Sequence, residues 1–141
     1  TRPWQHVLEP LNGYLNLAIE LESDDDLDGH SFNFGPTSGY NKTVKDLLDD
    51  LSKYWNLKNS PSFLSSETSE FHEAGLLKLN CDKALFHIKW MPTLDYHTLI
   101  EFTSLWYFNF YHKKINMLEF TLNQIKKYEN QAVKNGNIWS K

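Results

Sequence analysis

The chain of 141 residues has one cysteine, Cys81. A lone thiol cannot form an internal disulfide, and it cannot supply a cysteine zinc site or a CxxC redox pair. We expect Cys81 to be a small buried or half-buried side chain rather than a reactive one.

Long apolar runs are also missing, because no run approaches the roughly 20 residues that cross a bilayer. The first residues lack the basic, apolar and small-residue pattern of a signal peptide. We therefore expect a soluble, cytoplasmic protein that does not bind membranes. Basic residues are outnumbered, with 14 Lys and Arg against 18 Asp and Glu and a net charge of -4. This balance argues against a nucleic-acid surface, which needs clustered cations.

Glycine is scarce, at positions 13, 29, 35, 39, 75 and 136, and no three of these have the spacing of a dinucleotide-binding fingerprint. Tyr54 and Lys58 match the Tyr-x-x-x-Lys spacing of a catalytic pair, but we interpret them as the end of a core-facing helix. Metal motifs are incomplete. The acidic run 24–29 resembles the start of a calcium-binding loop, but position twelve of that loop is Gly35, where an acidic ligand is required. His72 and Glu73 resemble the start of an HExxH zinc motif, but Leu76 stands where the second histidine should be. We expect no metal site.

What is present is a globular composition, 40% hydrophobic and 15% aromatic, which indicates one domain. Helical spacing of apolar residues predicts four helices, at about 7–22, 44–55, 95–111 and 117–132, and a brief helix is predicted between Asn80 and His87. Thr43 with Asp46 predicts a capping box, and Asn80 a cap for the third helix. Core-facing candidates in the second and fourth helices are Val44, Leu47, Leu48, Leu51, Tyr54, Trp55, Leu99, Phe102, Leu105, Trp106 and Phe110. Alternation and turn residues predict short strands at 30–36 and 76–79, with a further extended piece around 62–64.

Several short motifs occur in a fixed order along the chain. They are Arg-Pro-Trp-Gln-His-Val at 2–7, Phe-Asn-Phe-Gly-Pro at 32–36, Thr-Val-Lys at 43–45, the block from His72 to Ala84, and Trp90 followed by Pro92. Each is weak alone, but together they resemble the C-terminal part of a nucleotide-sugar dehydratase. Such enzymes are extended short-chain dehydrogenases/reductases of the NAD-dependent epimerase/dehydratase family.

The resemblance implies an α/β enzyme whose N-terminal sheet holds NAD and whose smaller C-terminal part closes over a nucleotide sugar. On this hypothesis residues 1–141 are the single C-terminal nucleotide-sugar-binding domain, helix-rich with a few short strands and α+β in isolation. The N-terminal NAD-binding domain would be absent. The chain alone would then hold no cofactor and would be catalytically inert. In such enzymes the strand at 32–35 lies at a sheet edge, and an unpaired edge favours association or a homodimer.

Five residues are candidate ligand contacts on this resemblance. Arg2 either grips the diphosphate with its planar guanidinium or is an ordinary surface arginine. Trp4 shapes the ligand cleft or fills the core, and His6 donates to the ligand or caps the following helix. His72 and Glu73 lie in the loop where relatives place nucleotide contacts, or are simply solvated. We expect Lys78 to be solvated.

Two positions depart from the family pattern. Asn80 replaces an aspartate but still caps a helix well. Lys89 replaces a glycine, which predicts an altered turn or relaxed selection, because glycine tolerates positive φ. A rival hypothesis from another class is a non-enzymatic interaction or structural module, a degenerate fragment that pairs with another chain.

Overall fold

The computed structural model describes residues 1–37, 39, 41–55, 63 and 75–140. These residues form five α-helices, which we number in chain order: α1 (Leu8–Ser23), α2 (Val44–Ser52), α3 (Asp82–Ile88), α4 (Tyr96–His112) and α5 (Met117–Asn135). Short 3₁₀ turns follow α1 at Asp25–Leu27 and α5 at Ile138–Ser140. The five predicted helices are thus confirmed, with ends shifted by a few residues.

The two predicted strands are wrong for the described part of the chain. Residues 30–36 and 76–79 are not hydrogen-bonded into strands. Among the described residues, the only β-type pairing is an isolated antiparallel bridge between Arg2 and Lys42. A strand requires a neighbour that satisfies its backbone, and alternation of side chains does not supply one. The fold is helix-rich, and the predicted α/β arrangement is not formed by these residues. The extended piece at 62–64 lies largely outside the described residues.

Helix α1 packs with its polar side inward. Glu9, Asn12, Gly13 and Asn16 are buried, while Leu11 and Leu15 are about half exposed, at 48% and 51%. The buried amides have partners: the Asn12 side chain donates to the Thr93 hydroxyl, and the Asn16 side chain donates to the Ile88 carbonyl at 2.7 Å. Apolar spacing therefore identified the helix, although the apolar residues are not what it buries.

Helix α2 begins with the predicted capping box. The Thr43 hydroxyl accepts from the Asp46 backbone N–H at 3.1 Å, and the Asp46 carboxylate accepts from the Thr43 N–H at 2.8 Å. The helix packs on α4, where Leu47 and Leu51 lie against a buried cluster. Three of the predicted core-facing residues are exposed, which makes the prediction wrong for Val44, Tyr54 and Phe110, at 50%, 37% and 53% exposure.

Helix α3 ends in a left-handed turn at Lys89, whose φ is 52°. Asn80 caps the start as predicted, because its side-chain oxygen accepts from the Asp82 N–H at 2.8 Å. After the turn, Trp90 enters a cluster with Phe34, their ring centroids 5.0 Å apart. Lys89 therefore lies in the left-handed backbone region that glycine adopts with least strain.

Helices α4 and α5 form a pair linked by polar side chains. The Trp106 indole donates to the Thr121 hydroxyl at 2.9 Å, and the Gln124 amide donates to the Phe102 carbonyl at 2.9 Å. Asp95 caps α4 by accepting from the Thr98 N–H.

Candidate functional site

Arg2 lies at the edge of the molecule, next to the segment that precedes α2. Its backbone N–H donates to the Lys42 carbonyl at 3.3 Å, and its guanidinium donates to the Thr1 carbonyl at 2.8 Å. The bridge to Lys42 fixes the backbone of the arginine, so that its side chain starts from an ordered position.

The side chains around Arg2 form a small surface depression, which we call the Arg2 depression. It is lined by Arg2, Pro36, Thr37, Asn41, Leu77 and Lys78, among others. Two cationic side chains, a hydroxyl and an amide therefore border one concave surface. Guanidinium and ammonium groups with neutral donors beside them are what a phosphate or diphosphate group binds.

Lys78 is the residue of this depression that sequence reasoning missed. It is exposed, as expected of a solvated lysine, yet it also lines the same depression as Arg2. Lys78 comes close to Arg2 because residues 1–2 lie beside residues 75–77, and no local spacing in the sequence indicates that arrangement.

The first residue of the chain lies beside residues 75–77. The Thr1 amino group donates to the Gly75 carbonyl, and the Leu77 N–H donates to the Thr1 carbonyl at 3.3 Å. These bonds join the start of the chain to the segment that precedes α3. His72 and Glu73 themselves lie outside the described residues, so their roles stay predictions.

Trp4 does not line the Arg2 depression but packs on the core. Its indole N–H donates to the Lys42 carbonyl at 3.1 Å, and its ring packs against the cluster formed by Tyr96, Leu99 and Ile100. Trp4 also borders a separate small pocket. Its contacts in this structure are those of the core alternative.

His6 lines a third cavity, a groove of about 430 Å³ between the start of α1 and helices α4 and α5. Its Nδ1 atom accepts from the Leu8 N–H at 3.3 Å, and its ring meets Phe102 edge to face at 5.8 Å. Burial lowers the pKa of His6 from the usual value near 6.5. These contacts match the capping alternative, and Arg2, Trp4 and His6 do not converge on one pocket.

The described residues do not fit a dinucleotide. Gly13 lies inside α1 against the Phe34 ring, and no described helix begins after a strand and a glycine-rich turn. Lys58, the partner that the Tyr-x-x-x-Lys spacing gives to Tyr54, lies outside the described residues. No described group of three His, Cys, Asp or Glu side chains could hold a metal ion. In the part of the chain that the structure describes, no helix is both long and apolar enough to cross a lipid bilayer.

Burial raises the pKa of the Cys81 thiol, which disfavours its reactive thiolate form. The side chain is half-buried, as the sequence predicted.

The ordered motifs are similar in sequence to one portion of a nucleotide-sugar dehydratase. No known protein-family model matches the chain. CDP-glucose 4,6-dehydratase from Salmonella typhimurium (strain LT2) is 40% identical over 91 residues, which are 64% of this chain and 25% of that relative. The resemblance inferred from the motifs is therefore confirmed, and the matched region spans about a quarter of the relative's length.

Proposed function

We propose that this chain is the nucleotide-sugar-binding portion of a dehydratase similar to CDP-glucose 4,6-dehydratase, and that it binds a CDP-glucose-like ligand. Arg2 holds the diphosphate, and Lys78 adds a second positive charge beside it. The observation that carries the proposal is that these two cations line one depression although they are far apart in sequence. The identity to the Salmonella enzyme supports the choice of ligand.

The geometry favours Arg2 over the other candidate contacts. Its guanidinium can present two parallel N–H groups to a diphosphate, and its backbone is already fixed by the bridge to Lys42. Trp4 and His6 position this opening segment through their bonds to the Lys42 carbonyl and the Leu8 N–H. His72 and Glu73 remain candidate contacts from the adjoining loop.

The proposal assigns binding, and no chemistry, to the isolated chain. The family reaction transfers a hydride to and from NAD, and the described residues supply neither a dinucleotide cradle nor a catalytic tyrosine-lysine pair. We therefore expect no turnover of CDP-glucose by the chain alone. NAD would be held by another part of a complete enzyme.

Titration of the chain with CDP and with CDP-glucose tests the proposal, with tryptophan fluorescence as the readout. We expect saturable binding of both ligands and a loss of about 10- to 100-fold in affinity for Arg2→Ala, because a hydrogen bond to a charged group contributes about 1.5–3 kcal/mol. Lys78→Ala should weaken binding less. The matched control is Lys126→Ala, which removes an exposed cation from α5.

Two results would contradict the proposal. One is the absence of any saturable signal in a sample that melts cooperatively. The other is equal affinity in the wild type and in Arg2→Ala, which would leave the guanidinium as an ordinary surface group. The rival hypothesis of a non-enzymatic interaction module would then gain support.

A further inference from the structure

Helix α5 has an exposed outer side that carries both apolar and charged residues. We call it the α5 outer face and define it by Leu118, Leu122, Lys126, Glu129 and Val133. The three apolar members are 70%, 56% and 53% exposed, in that order. At 100° per residue the five positions fall within a sector of about 80°, on the side of the helix away from the buried Gln124, Tyr128 and Ala132. The helix thus buries one side in the chain and leaves the other side to solvent.

The two charges of the α5 outer face have no salt-bridge partner within the described part of the chain. The salt bridges found there join residues of α2 and the segments that flank it, and neither Lys126 nor Glu129 takes part in one. Both side chains are exposed. An ammonium group and a carboxylate, about one turn apart on a helix, can therefore meet opposite charges on a second molecule.

The order of residues along the α5 outer face is complementary to its own reverse. When two copies of α5 lie side by side in opposite directions, centred between residues 127 and 128, Lys126 of each copy lies opposite Glu129 of the other. In the same register Leu122 lies opposite Val133. Because a two-fold axis makes each pairing twice, the contact has two salt bridges at its centre and an apolar contact on either side.

We propose that two copies of the chain form a dimer through the α5 outer face, with the two α5 helices antiparallel and Lys126 of each copy paired with Glu129 of the other. The four charges then alternate in sign around the two-fold axis. Helix α5 has 19 residues and is about 28 Å long, so the interface is small. We expect a weak dimer, with a Kd of about 1–100 μM. This dimer does not use the segment 31–35.

Self-complementarity favours a second copy over other occupants of the α5 outer face. A nucleic acid or an anionic lipid surface would attract Lys126 but repel Glu129. An apolar surface of another protein would remove water from both charges without supplying a partner, which is unfavourable. A second copy pairs both charges and covers Leu122 and Val133 in a single register.

Sedimentation equilibrium of the chain, at concentrations from about 1 to 500 μM that span the expected Kd, tests the proposal. Leu122→Asp should weaken association about 100-fold, because each dimer would place two carboxylates against apolar side chains. Lys126→Glu and Glu129→Lys should each weaken it about 10-fold or more, because four charges of one sign would meet at the centre. An equimolar mixture of these two variants should associate again, since every glutamate of one meets a lysine of the other.

The matched control is Lys127→Glu, which makes the same change of charge at an exposed position on another side of α5 and should leave association unchanged. Circular dichroism checks that each variant is folded. The two charge reversals lie at exposed positions that tolerate substitution, so they test the interface even where Leu122→Asp is unstable.

Three results would overturn the proposal. The first is a chain that stays monomeric over the whole concentration range. The second is a dimer that persists in Leu122→Asp and in both charge reversals, which would place the contact elsewhere on the molecule. The third is a mixture of the two charge reversals that remains monomeric. No described residue of α5 lines the Arg2 depression, so nucleotide binding is tested separately.

Discussion

Glu9 ties α1 to the start of α4 by accepting two backbone hydrogen bonds, one on each carboxylate oxygen. The N–H groups of Thr93 and Leu94 donate to it at 2.9 and 2.8 Å. The carboxylate is 2% exposed. Burial raises its pKa, while the two N–H groups and the Tyr128 hydroxyl act in the opposite direction. A single acidic side chain thus satisfies two donors that would otherwise be buried without partners.

Glu9→Ala should destabilise the chain by about 2–4 kcal/mol, because two buried N–H groups lose their acceptors. Urea denaturation followed by circular dichroism measures the change. Glu22→Ala, on the exposed end of the same helix, is the control and should change stability by less than about 0.5 kcal/mol. A similarly small effect of Glu9→Ala would show that water replaces the carboxylate as the acceptor for the two N–H groups.

Gly13→Ala tests the contact between α1 and Phe34. Alanine favours a helix over glycine by about 1 kcal/mol, but here its methyl group would lie 2.4 Å from the buried Phe34 ring. The clash should dominate, and we expect a net loss of about 1–3 kcal/mol in thermal or urea unfolding. Gly75→Ala is the control, because nothing lies within 4 Å of its added Cβ. A gain in stability for Gly13→Ala would mean that the ring moves freely.

Lys89→Gly should stabilise the chain. A residue with a side chain is strained at a φ of 52°, and glycine relieves that strain. The variant also loses the exposed hydrogen bond from the Lys89 side chain to the Phe86 carbonyl. We expect a net gain of about 0.5–1 kcal/mol in the free energy of unfolding. Lys89→Ala loses the same bond without relieving the strain, and it should be neutral or slightly destabilising. Equal melting temperatures for the two variants would argue against a strained turn.

Acidification should lower the stability of the folded chain through His6. Its folded-state pKa is lowered, so the unfolded chain binds a proton that the folded chain resists, and stability is lost as the pH falls below about 6.5. Protonation also removes the Nδ1 lone pair that accepts from the Leu8 N–H. The measurement is the melting temperature between about pH 7.5 and pH 5.5, where the wild type should fall more than His6→Asn, which keeps an acceptor but does not titrate. Parallel curves for the two proteins would assign the pH dependence to other groups.

The sequence predicted the helices because their signals are local. The reciprocal hydrogen bonds of the capping box join Thr43 to Asp46, which is three residues further along, and the apolar repeat of α5 lies within that helix. The predicted strand at 30–36 failed because pairing depends on a distant partner. The alternation of Phe32 and Phe34 carried no information about what lies beside these residues.

The candidate site was predictable in part for the same reason. Arg2 was identified because a guanidinium at the head of a recognisable motif has a definite chemistry. Lys78 was not, because its place beside Arg2 depends on the bonds that join Thr1 to Gly75 and Leu77. The inward-facing polar side of α1 could not be predicted either, because the side chains of Glu9 and Asn12 bond to Thr93, which is 84 and 81 residues away in sequence.

The central claim is that the Arg2 depression binds the diphosphate of a nucleotide sugar. Amide chemical shifts of the ¹⁵N-labelled chain, recorded during titration with CDP-glucose, locate the ligand directly. We predict that the shifts concentrate at Arg2, Thr37 and residues 77–79, and that Arg2→Ala abolishes them at the same ligand concentration. Shifts confined to the groove around His6 and Trp106, or none at saturating ligand, would contradict the account.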